Sequence, residues 1–132
     1  MAVYQGADSC YARREGVYVK RVRRPGIDTL REAAGILRLI LRDYRRGWTY
    51  EQGTCRKIRM SRRLFEERVR FVKFLARQHG AKGETLEAID RLVDYVLEHK
   101  RLPKRLKVGS RYVSPAKLAE EAVTEVKRGS ER

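Results

Sequence analysis

At 132 residues the chain is the size of one domain, and its 42% hydrophobic content is too high for a disordered basic tail. Thirty-two Lys and Arg against 17 Asp and Glu leave a formal net charge of +15. That excess points to a polyanionic partner: nucleic acid, an anionic membrane or an acidic protein. The longest apolar stretch is interrupted by Arg38 and the N-terminus lacks the basic-then-apolar layout of a secretory signal. A soluble protein that stays inside a cell, or in a particle assembled there, is expected.

Residues 1–25 read as a basic arm carrying Arg13, Arg14, Lys20, Arg21, Arg23 and Arg24, with Val17–Val22 able to extend as a strand before Pro25-Gly26. The first helix is expected from a capping box at Thr29-Leu30-Arg31-Glu32 to a stop at Gly47. Its apolar residues Leu30, Ala33, Ala34, Leu37, Ile40, Leu41 and Tyr44 fall on one side. Arg31, Arg38 and Arg45 recur every seven residues on the opposite side, joined by Arg42. Seven residues is nearly two turns, so the row forms a basic stripe about 21 Å long. Glu32 and Asp43 lie off this stripe, which therefore reads as almost unpaired. Gly35, set within it, either admits a close backbone or is a tolerated mid-helix glycine, the latter being preferred.

The segment from Trp48 to Met60 reads as a loop or short strand. A second helix is expected from near Ser61 to Gly80, with Phe65, Val69, Val72, Leu75 and Ala76 inward. Leu64, Phe71 and Phe74 give it a second apolar face, expected against a neighbour or an oligomer partner. Between the two faces runs another basic row, Arg63, Arg70 and Arg77 with Lys73, in which Glu66 also sits. A third helix, from about Glu84 to Lys100, is acidic and should face away from a polyanion or pair with a neighbouring subunit. The connection from Arg101 to Arg111 holds Lys104, Arg105 and Lys107 and no acid. Ser114-Pro115 opens a fourth helix, expected to end near Gly129.

The fold expected is therefore all-α: a helical bundle over 26–132 with an extended basic arm over 1–25. Motifs for catalysis are missing, and His79 and His99 suit helix C-termini, so neither an enzyme nor a cofactor is expected. Cys10 and Cys55 lack the CxxC spacing of a metal site; they are either a disulfide pinning the N-terminal segment or two free thiols. The chain contains no asparagine and three glutamines, a composition that points to a hyperthermophilic source.

The two rows, Lys104, Arg105, Lys107 and the arm are the expected phosphate contacts, rich in arginine as forked phosphate recognition prefers. Tyr4, Tyr11, Tyr18, Trp48, Tyr50 and Tyr112 could stack on bases, but no aromatic–basic interleaving stands out, which favours a duplex over a single strand. Fifteen charges match about seven or eight base pairs per chain, more than a regulator needs.

The arm, the bundle from 29 to 128, the length and the basic stripes together resemble the major coat proteins of filamentous, linear double-stranded-DNA viruses of hyperthermophilic archaea. The resemblance implies a virion protein, assembled in the host cytoplasm, that pairs with itself or a paralogous subunit. It implies wrapping of duplex DNA into a helical filament, without a small-molecule substrate and with membrane contact only as an outer envelope. A second resemblance covers residues 55–100: Cys55–Ser61, the second helix, Gly80 and the third helix are similar to a ribbon-helix-helix regulator. It implies Lys57, Arg59 and Ser61 as base readers. A ribosome-associated, RNA-binding protein is a further alternative.

Overall fold

The computed structural model describes residues 9–20 and 25–125. Its hub is α2 (Ile27–Arg46), in which Leu30, Ala33, Ala34, Leu37, Ile40 and Leu41 are buried as the apolar pattern demands. Ile36 and Leu39 are buried too, so α2 is enclosed on nearly every side except its arginine row. Each such aliphatic side chain removed from water contributes about 1.5–3 kcal/mol. Gly47 ends the helix in the left-handed conformation, φ 88°, with its N–H on the Asp43 carbonyl.

Three helices wrap this hub. α3 (Arg62–Gln78) is capped by Ser61, whose hydroxyl accepts from Leu64 N, and stacks Phe65 on Tyr44 of α2 with centroids 4.3 Å apart. α4 (Gly83–His99) packs on α3 and α2. α5 (Pro115–Ala122), capped by Ser114, lies against α2 at Gly35. A Cβ on Gly35 would stand 2.8 Å from Ala122 Cβ and 3.3 Å from Val19 Cγ1. The glycine is there for a close approach, and the reading of it as merely tolerated is corrected.

The fold is not all-α. Among the described residues a short helix, α1 (Cys10–Glu15), and six strands join the four expected helices. The strands form three two-stranded antiparallel sheets: β1 (Val17–Val19) with β6 (Val123–Glu125), β2 (Trp48–Tyr50) with β3 (Lys57–Arg59), and β4 (Leu106–Val108) with β5 (Arg111–Val113). Each strand is three residues long, too short for alternation to register against the helical periodicity. The fourth helix stops at Ala122 rather than near Gly129, because β-branched Val123 and Thr124 leave the helix to pair with β1.

The arm is not a free extended tail between Ser9 and Lys20: Cys10–Glu15 is helical, and only Val17–Val19 of the strand expected over Val17–Val22 is extended, paired as β1 with β6. Ser9 caps α1, Gly16 ends it, Tyr11 is 2% exposed, and a Cys10–Cys55 disulfide ties α1 to the β2–β3 loop. The capping box at Thr29 is also corrected. α2 begins at Ile27, Thr29 is buried in its first turn, and Glu32 bonds Nδ1 of His79, the residue that caps the C-terminus of α3, at 2.9 Å.

Candidate nucleic-acid interface

Beneath the basic surface lies a buried polar network that locks α1, α2, β2 and α3 together. Asp43 Oδ2 accepts from Tyr11 Oη and, at 2.7 Å, from Thr49 Oγ1. Arg68 of α3 donates to Thr49 Oγ1 at 2.7 Å and to the Tyr50 carbonyl at 2.8 Å. Asp43 Oδ1 takes the guanidinium groups of Arg42 at 3.2 Å and Arg46 at 3.0 Å. Both arginines also reach Glu15, at 2.9 and 3.0 Å, and Tyr50 Oη donates to Glu15 at 2.6 Å. Burial opposes the charge on Glu15. The Tyr50 hydrogen bond and the two guanidiniums outweigh it and hold the carboxyl below its usual range. Tyr50, buried and donating to that carboxylate, is pushed up to about 12.

This network consumes part of the first arginine row. Arg42 belongs to it and lies over the Tyr11 ring, while Arg31 is bridged to Asp28 and, at 2.8 Å, to Glu121 of α5. The row is thus not almost unpaired: folding brings in Glu15 and Glu121, distant in sequence. Arg38 and Arg45 remain exposed and, among the described residues, without an ion pair.

The second row is neutralised throughout. Arg63 meets Glu67 at 3.4 Å, Arg70 meets Glu66 at 3.7 Å, Lys73 meets Asp94 at 3.0 Å and Arg77 meets Asp90 at 3.9 Å. The acidic α4 therefore turns Asp90 and Asp94 toward α3 of the same chain. Surface pairs of this kind contribute about 0–1 kcal/mol each and can be exchanged, but they lower the field a polyanion would meet.

Arg13 and Arg14 are exposed on α1, beside the disulfide: Arg13 Nη2 stands 3.1 Å from Cys55 Sγ, and Arg14 donates to the Cys55 carbonyl at 3.2 Å. Lys20 is exposed at the end of β1. Arg21, Arg23 and Arg24 lie outside the described residues, as does Tyr4.

A further positive surface is the β4–β5 ribbon with the connection that leads into it, where the Glu84 carboxylate of α4 stands against Gly109 at the ribbon's turn. From Arg101 to Ala119 the chain has six Lys and Arg and no acid. Lys104, Arg105, Lys107 and Arg111 are exposed, and none is ion-paired among the described residues. The ribbon register sets Lys107 opposite Tyr112, which is 57% exposed with the Arg105 guanidinium 4.4 Å from its ring centre. Arg91 of α4 donates to the Lys107 carbonyl and so moors the ribbon to the body.

A second aromatic–basic cluster is built by the β2–β3 hairpin. Trp48, Tyr50, Lys57 and Arg59 share one hairpin face. Arg46 lies 3.4 Å and Lys57 4.5 Å from the Trp48 ring centre. The interleaving that the linear sequence hides is thus created by strand pairing. Tyr11 and Tyr50 are buried in the network and are not base platforms; Tyr18 is half-buried. The order β3–α3–α4 keeps the ribbon-helix-helix sequence of elements, yet β3 pairs with β2 of its own chain and the Ser61 hydroxyl is spent on the α3 cap. No family model, curated protein or solved structure matches this chain.

Proposed function

We propose that the chain is a structural protein that coats duplex DNA through phosphate contacts, without sequence specificity, and builds a helical nucleoprotein filament of the virion-coat kind. The observation that carries this reading is the acid-free sequence run from Arg101 to Ala119. Its exposed Lys104, Arg105, Lys107 and Arg111 lie on the β4–β5 ribbon and the connection leading into it without an ion pair among the described residues, with Glu84 of α4 at the Gly109 turn, whereas the α3 row is internally paired. A two-stranded ribbon fits the major groove, and its exposed cations lie beside the phosphates that line the groove. Arg38, Arg45, Arg13, Arg14 and Lys20 add exposed charge elsewhere on the body. The net +15 suits neutralisation of a polymer better than the few contacts of a regulator.

The test is electron microscopy of purified protein on random-sequence duplex DNA at low salt, with footprinting alongside. Regular filaments of constant width, saturating at a short fixed site size, are expected. Isolated complexes at one preferred palindrome would instead favour a dimeric regulator, and bare DNA would remove the coating reading altogether.

A further inference from the structure

The outer face of α3 carries apolar surface that the fold leaves uncovered. Phe71 is 36% and Phe74 50% exposed; the two rings stack with centroids 5.4 Å apart. Next to them a shallow groove of about 470 Å³ runs past Phe71, Leu64 and Ile58 of β3. At 100° per residue, Leu64, Glu67, Phe71 and Phe74 fall within an arc of about 80°, and Arg70 borders it. Glu67 and Arg70 are both exposed, each with a weak partner one turn away, Arg63 and Glu66 respectively.

Opposite charges three residues apart on an apolar face are self-complementary under a two-fold axis. Place the axis midway between Glu67 and Arg70, with two α3 helices antiparallel. Glu67 then lies opposite the partner's Arg70, and Arg70 opposite the partner's Glu67. Leu64 lies about 7 Å from the axis level, while Phe71 and Phe74 lie about 4 and 8 Å from it on the other side. In the antiparallel pair Leu64 therefore enters the gap between the partner's Phe71 and the partner's Phe74, and the reciprocal contact is made by symmetry. Charge and apolar registers agree on a single axis.

We infer that the outer face of α3 is an isologous dimer interface, occupied by α3 of a second copy of this chain, with two reciprocal Glu67–Arg70 bridges over a Leu64–Phe71–Phe74 core. The inference is independent of DNA binding, since it concerns free protein. It also accounts for why the α3 arginine row is balanced by acids: a surface facing another copy must not repel it.

The experiment is sedimentation of nuclease-treated protein, free of DNA, at micromolar to submillimolar concentration. Wild type is expected at twice the 15.5 kDa chain mass. Glu67→Arg and Arg70→Glu alone each place like charges across the axis and are expected to be folded monomers by circular dichroism. Mixing the two single variants restores both bridges and is expected to give a heterodimer. The double variant Glu67→Arg/Arg70→Glu is expected to dimerise with itself. A monomeric wild type overturns the inference, and so does a dimer indifferent to either single change or a mixture that stays monomeric. Because no DNA is present, each of these outcomes leaves the coating reading standing or falling on its own test.

Discussion

Gly35 and Ala122 meet where α5 crosses α2, so closely that a methyl on Gly35 would sit 2.8 Å from the Ala122 methyl and 3.3 Å from Val19 Cγ1. The contact joins the middle of the hub helix to the C-terminal helix, and next to it the β1–β6 pair closes over the same spot. In a free helix, Gly→Ala is stabilising by about 1 kcal/mol. Here both neighbours are held by backbone that cannot yield separately, and overpacking costs about 1–3 kcal/mol. Gly35→Ala is therefore expected to lower the urea midpoint, and Ala122→Gly in the same chain to recover part of the loss. A stabilised Gly35→Ala chain would mean that α5 is free to move away.

The Cys10–Cys55 bridge closes a segment with a sequence separation of 45. Constraining a loop of that length in the unfolded chain is worth about 4 kcal/mol on the chain-entropy account. Cys10→Ser/Cys55→Ser, compared with wild type under oxidising conditions, should lose a substantial part of that. The losses should concentrate in α1, which is six residues long and cannot persist as an isolated helix. Hydrogen exchange reads this directly: α1 amides should exchange fast in the variant while α3 and α4 stay protected. Unchanged α1 protection would assign its anchoring to the Tyr11–Asp43 bond and the Glu15 contacts with Arg42, Arg46 and Tyr50 rather than to the disulfide.

Glu15 and Tyr50 give the fold opposite pH limits. The Glu15 carboxyl titrates below its unfolded value, so the stability it contributes is present above about pH 4.5 and is lost as pH falls through its lower folded value. Tyr50 is raised from 10.0 to about 12, so the folded state holds its proton longer; the stability it contributes is full below pH 10 and declines between pH 10 and 12. Tyr50→Phe should flatten the alkaline decline relative to wild type and also weaken the acid limb, because the hydrogen bond that helps keep Glu15 ionised is removed. Denaturant midpoints across both windows check the pair; an alkaline limb identical in wild type and variant would show that Tyr50 does not contribute to it.

Long elements were legible because their periodicity runs over many residues: α3 and α4 begin and end close to where Ser61, Gly80 and Lys100 indicate. The ribbons were not, since three residues carry no period, and a pairing such as Val19 with Val123 spans most of the chain. Charge was the least legible property. Arg42 and Asp43 are adjacent in sequence and point about 100° apart around α2, yet they meet once Glu15 and Tyr11 close over them. Asp43 is fully buried, which its sequence neighbours Arg42, Tyr44, Arg45 and Arg46 give no reason to expect. A sequence fixes where a charge sits on its own helix, but its partner arrives through tertiary packing.

That distinction separates the basic surfaces by how much each can give to DNA. Every phosphate contact formed by a free cation adds about 0.9 to the salt slope of duplex binding. Lys104, Arg105 and Lys107 lie in the acid-free run, so changing all three to Ala should reduce the slope by about 2 to 3. Arg63, Arg70 and Arg77 are partnered by Glu67, Glu66 and Asp90, and their replacement should alter the slope by less than about 1. The two triple variants carry the same net charge, so a difference between them reports location rather than overall charge. Equal losses would mean that DNA strips the α3 arginines from their carboxylates, and the ribbon would then hold no special place in the contact surface. A larger loss from the α3 variant would move the interface to that helix and set DNA in competition with the second copy of the chain.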